Sequence, residues 1–254
     1  MPVSSVINGL IVAGAAILSA LLYFSGLHRR YRAFFLFLIF FALQNVSVAV
    51  FTSKSEAYQK VWVLSQPIEW FLSVWVVLEL YSLVLKDYRG LYTVGRWSLM
   101  VAIAAGLLAS GISLILPLRY THQGHLMAYY YVAERAINFS LVVFLVTILV
   151  LLTRYPITLN RNTIVHSVVF SIYFLAITTV YLLLTTRGYG MIQIAGYITQ
   201  AVNLGALGTW LVMLNRAGEQ RPQRLRPAWM PGGEEKLLSQ LNSLNVALLR
   251  VTRA

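Results

Sequence analysis

Seven long apolar runs dominate the chain, near 6–27, 33–52, 61–85, 97–118, 128–153, 162–186 and 190–215. About 20 mostly apolar residues are enough for a helix to cross the hydrocarbon core of a bilayer. Inside lipid, helices and closed barrels are the structures that satisfy every backbone polar group. The expected fold is therefore all-α: a polytopic seven-transmembrane-helix bundle. The joints carry charge or glycine, as in His28-Arg29-Arg30-Tyr31-Arg32, Lys86-Asp87-Tyr88-Arg89-Gly90 and Thr186-Arg187-Gly188-Tyr189-Gly190. Composition agrees, with 59% hydrophobic and 11% charged residues. Soluble domains carry roughly 45–50% and about 25%, so a water-soluble globular protein is excluded. No base precedes the first run and no clear cleavage site follows it. It reads as a retained helix rather than a signal peptide.

The net charge of +12 would suggest nucleic acid in a soluble protein. Here the bases sort by loop. Twelve fall on one set of connections, among them Arg29, Arg30, Arg154, Arg161, Arg216 and Arg224, and five on the other. Cytoplasmic loops attract the excess of Lys and Arg. The N-terminus is thus expected outside and the C-terminus in the cytoplasm, across a bacterial inner membrane. The basic loops are expected to meet anionic lipid headgroups, and no nucleic-acid partner is needed. With no cysteine, disulfides, thiolate metal sites and cysteine nucleophiles are excluded.

Small residues mark expected helix contacts, because lipid gives helices no hydrophobic reason to associate. Gly9 and Ala13, Ala16 and Ala20, and Ala102, Gly106 and Ser110 are spaced four apart.

Polar residues inside the runs carry the functional reading. A carboxylate at mid-membrane costs about 2.5–3.5 kcal/mol on insertion scales. Glu69 and Glu79 lie in the third run and Glu134 in the fifth. Gln66, Glu69 and Ser73 share one helical stripe, and Tyr130, Glu134 and Asn138 another. Gln193, Tyr197 and Gln200 form a third, with Asn203 close by, and the second run adds Gln44 and Asn45. With the expected orientation these groups sit between mid-membrane and the outer surface. They are the expected lining of an extracytoplasmic polar pocket. Interhelical hydrogen bonding, worth roughly 0.6 kcal/mol each, is the alternative. Glu79 lies near the cytoplasmic end and is expected to form a structural ion pair, with Lys86 the nearest base on its own helix.

Several chemistries are excluded. The last run has no lysine for a retinal Schiff base, and Asp87 is the sole aspartate, so a histidine–aspartate zinc hydrolase site is absent. No Gly-x-Ser-x-Gly elbow or phosphate loop occurs. His122 and His125 read as loop residues, and His28 and His166 as interfacial packing rather than haem ligands. Neither a cofactor nor a metal is expected, and no catalytic constellation is present.

Residues 1–216 form the expected transmembrane domain. Residues 217–233 read as a basic Pro/Gly linker and 234–254 as a short cytoplasmic amphipathic helix. Leu237, Leu241, Leu244, Leu248 and Val251 step by 4, 3, 4, 3, a heptad seam suited to a protein partner or self-association.

This layout resembles the seven-helix input modules of bacterial signalling proteins over residues 6–251. The resemblance is one of architecture. It implies a non-enzymatic sensor, receptor or assembly module, with the polar pocket as input and the tail helix docking a separate partner. A small-solute or proton-coupled transporter using Glu69 and Glu134 is the second expectation. An accessory subunit of a membrane complex is the third.

Overall fold

A computed structural model of the chain describes residues 3–50, 56–85, 89–112, 125–154, 159–187, 189–220 and 222–223. It also describes 239–240, 242–243 and 245–246 of the tail. The described residues are almost entirely helical (95%). Among the described residues are seven long helices: α1 Val3–Phe24, α2 Arg32–Val50, α3 Glu56–Val84, α4 Arg89–Ile112, α5 His125–Arg154, α6 Arg161–Arg187 and α7 Ile192–Met213. Each overlaps one of the seven apolar runs, although α3 and α4 begin five and eight residues ahead of theirs. A short α8, Arg216–Gln220, follows.

Among the described residues, four segments are long and apolar enough to cross a membrane: Ser5–Phe24, Lys60–Val84, Tyr130–Val150 and Arg161–Leu184. The apolar parts of α2 and α4 are shorter, at Arg32–Ser47 and Gly95–Ala105. In α7 the run is interrupted by Gln193, Gln200 and Asn203. Outward faces are apolar too, as Val6, Leu10 and Ile17 on α1 and Ile172 and Leu175 on α6 are exposed. Such a surface is at home in lipid and costly in water.

Consecutive helices pack on one another, and α7 returns to α1. Helix α6 also meets α3, and its Phe170 stacks edge-on against Phe34 of α2 at 5.6 Å. The core lies along this line, with Phe34, Phe170, Phe174 and Leu38 almost fully buried. On α1 the buried face is Ile11, Ala15, Leu18 and Leu22, at the spacing of one helical side.

The small-residue expectation fails on α1. Gly9, Ala13, Ala16 and Ala20 are exposed, and a Cβ at Gly9 would meet nothing within 4 Å. Close packing occurs elsewhere. At Gly95 on α4 a side chain would collide with the hydroxyl of Tyr81 on α3, whose ring is held by Phe144 at 5.0 Å.

Beyond α7 the chain turns back. Pro222–Gln223 (β2) pairs antiparallel with Leu159–Asn160 (β1), so the start of the expected linker is seated on the bundle. The seam residues Leu237, Leu241, Leu244, Leu248 and Val251 lie outside the described residues.

Candidate functional site: a carboxylate cluster between three helices

Glu69 is in mid-α3, and the end of α2 runs beside it. Gln44 of α2 donates from Nε2 to Glu69 Oε2 at 3.1 Å and to Ser65 Oγ at 2.9 Å. Gln66, one turn before Glu69, donates to the same carboxylate oxygen at 3.3 Å. Pro67 lies between them inside the helix and has no N–H to give to the carbonyl four residues back. The backbone is therefore locally interrupted beside the site.

Glu134 faces this group from α5. Its Oε2 accepts from the Trp70 indole of α3, and its Oε1 accepts from Asn138 Nδ2 at 2.8 Å. The two carboxylates lie within electrostatic reach of each other. Tyr173 and Tyr181 of α6 are within reach of both. Gln44, Gln66, Trp70 and Asn138, the donors that orient the pair, are neutral amides and an indole. Half-buried aromatic rings adjoin the cluster. Tyr130 packs on Trp70 at 5.6 Å and on Trp62 at 5.9 Å, and Tyr131 packs on Tyr181 at 5.7 Å.

Five of the nine expected pocket residues meet here: Gln44, Gln66, Glu69, Glu134 and Asn138. Asn45 instead donates to Phe41 O of its own helix at 2.8 Å. The α7 residues stand apart. Gln193 is exposed, and Gln200 donates to Asn8 Oδ1 of α1 at 3.0 Å. Asn203 is buried, and its Oδ1 has no partner among the described residues. No family model, curated protein or solved structure matches the chain. The site is therefore read from its own chemistry.

At the opposite end of the bundle, Glu79 of α3 accepts the backbone N–H of Ala33 at 3.0 Å and of Phe34 at 3.3 Å. It caps the start of α2. Lys86, its expected ion-pair partner, lies outside the described residues. The first N–H groups of a helix have no partner within it, and Tyr31, just before α2, cannot cap it as Ser or Asp would. A carboxylate from the neighbouring helix supplies the acceptor.

Sequence reasoning missed Glu219, the hub of that end. Its Oε1 accepts from Tyr31 Oη at 2.5 Å and Asn162 Nδ2 at 3.0 Å. Its Oε2 accepts from Asn160 Nδ2 at 3.0 Å and pairs with Arg30 Nε at 2.9 Å. Burial, reinforced by the Glu219 hydrogen bond, holds the Tyr31 phenol above its ordinary pKa, so it stays protonated and donating. One signal was available: Glu219 is an acid in a strongly basic stretch, between Arg216 and Arg221. His166 lies beside this network, fully buried between the rings of Tyr31 at 4.6 Å and Phe34 at 4.5 Å. Neither of its nitrogens has a partner among the described residues. Of the loop histidines, His122 lies outside the described residues and His125 opens α5.

Proposed function

We propose that this chain is a non-enzymatic integral membrane protein of sensor or receptor type. It crosses a bacterial inner membrane seven times, with its N-terminus outside. Its input is the Glu69–Glu134 cluster and its output is the C-terminal helix. One observation carries the reading: two carboxylates from different helices are held by neutral donors beside half-buried aromatic rings. Carboxylates within a bilayer are costly and are rarely spent on packing alone. A pair of carboxylates oriented by neutral donors suits a proton or a small cation, and aromatic faces attract cations as well. The input is therefore a proton or a small cation arriving from the extracytoplasmic side.

Trp70 reports directly on the site, because its indole donates to Glu134. Emission of the purified protein in nanodiscs is expected to change when it is titrated with protons or with small ammonium cations. The change is expected to vanish in Trp70→Phe and in the Glu69→Gln/Glu134→Gln double variant. A titration unaltered by the double substitution would refute the reading.

The same carboxylate pair favours one second function, a proton-coupled transporter. Proteoliposomes separate the two. A transporter moves protons or solute across the sealed bilayer and survives deletion of residues 234–254. A sensor binds without flux and loses its output with the tail.

A further inference from the structure

A cleft of about 590 Å³ opens at the end of the bundle where α1 turns into α2. Its walls come from two distant parts of the chain, the Tyr23–Arg30 turn and the Arg216–Gln220 helix. Three arginines border it, Arg29, Arg30 and Arg216. Glu219 is the acid on its wall, and both of its oxygens are already engaged by Tyr31, Asn160, Asn162 and Arg30. Arg30 is thereby paired with Glu219. Arg29 and Arg216 are exposed and have no ion-pair partner among the described residues.

Two further features point to a ligand. His28 also borders the cleft, stacked on Tyr23 at 4.9 Å, and its buried Nδ1 has no partner among the described residues. The lower rim is apolar, with Phe24 86% exposed and Tyr23 57% exposed. Phe24 is also the last residue of the membrane-length Ser5–Phe24 segment, which puts the arginines at headgroup depth.

We propose that this cleft binds a phosphate group, carried there by an anionic phospholipid. Paired guanidinium forks match the geometry of phosphate oxygens. The lipid chains lie along Phe24 and the outer face of α1. A free phosphate shares the recognition chemistry but makes no use of the apolar rim. The site is independent of the Glu69–Glu134 cluster and stands whether or not that cluster senses a cation.

The test uses full-length protein in neutral detergent, with lipid binding followed by native mass spectrometry. Phosphatidylglycerol is expected to bind saturably and about tenfold or more tighter than phosphatidylcholine. Arg29→Gln/Arg216→Gln is expected to remove that preference, Arg29→Lys/Arg216→Lys to retain most of it, and Arg96→Gln on α4 to leave it unchanged. An unchanged thermal melt shows that the Gln pair still folds. If it does not, equal binding of the two lipids to the Lys pair overturns the proposal. Equal affinity for both lipids in the unaltered protein, or full binding by a folded Gln pair, also overturns it. Displacement of the lipid by millimolar inorganic phosphate would overturn the lipid as carrier, whereas no displacement supports it.

Discussion

Replacing Glu219 with leucine is expected to cost about 3 kcal/mol or more of folded stability, read as a lower thermal melt in detergent. The estimate comes from the donors left behind. Tyr31 Oη, Asn160 Nδ2 and Asn162 Nδ2 all point at this carboxylate, and a buried group deprived of its partner costs about 1–3 kcal/mol. Tyr31 retains Thr163 Oγ1 at 3.3 Å, and Asn162 retains Asn215 O at 2.8 Å, which tempers the sum. Arg30 contributes little, because its side chain is 44% exposed and can turn to water. Arg30→Gln should therefore cost well under half as much as Glu219→Leu. Equal losses in the two variants would mean that the ion pair, and not the neutral network, holds this end together.

The second large effect is expected at Glu79. Glu79→Ala removes the acceptor for two N–H groups at the start of α2. Loss of a cap costs about 0.5–2 kcal/mol, and here Ala33 and Phe34 are buried, so water cannot readily replace the carboxylate. A loss of about 2 kcal/mol is expected, with a matching drop in the yield of monodisperse protein. Glu79→Gln keeps one acceptor oxygen and should lose about half as much. Wild-type yield and melting in Glu79→Ala would show that α2 does not depend on this cap.

The two glutamates differ in how much of their role was legible in the sequence. Glu79 stood out because charge inside an apolar run is costly. Its partner was not readable, because an acceptor for backbone N–H groups leaves no mark in residue type. Glu219 lies in a stretch whose composition speaks mainly of topology. Its partners Tyr31, Asn160 and Asn162 are 188, 59 and 57 residues away. Only the folding of α8 back onto the bundle brings them together.

The same limit shaped the central cluster. Period 3.6 correctly put Gln66 with Glu69, and Glu134 with Asn138, because those pairs lie on single helices. Rotation of one helix against another is set by packing, which a single sequence does not display. That is why the α7 polar stripe, expected in the same pocket, sends Gln200 to α1 instead. Trp70 carries no mark of its role in the sequence, because an indole in an apolar run is ordinary. Its bond to Glu134 crosses from α3 to α5.

The proposed function requires an odd number of membrane crossings, which would put the carboxylate cluster toward the outside and the arginine cleft toward the cytoplasm. The natural absence of cysteine makes the decisive measurement simple. Ser5→Cys and Gln220→Cys, both at exposed positions at the two ends of the bundle, are labelled in cells with a membrane-impermeant maleimide. Ser5→Cys is expected to react in intact cells and Gln220→Cys only after permeabilisation. Labelling of both positions from the same side, or of Gln220→Cys alone in intact cells, would contradict the account.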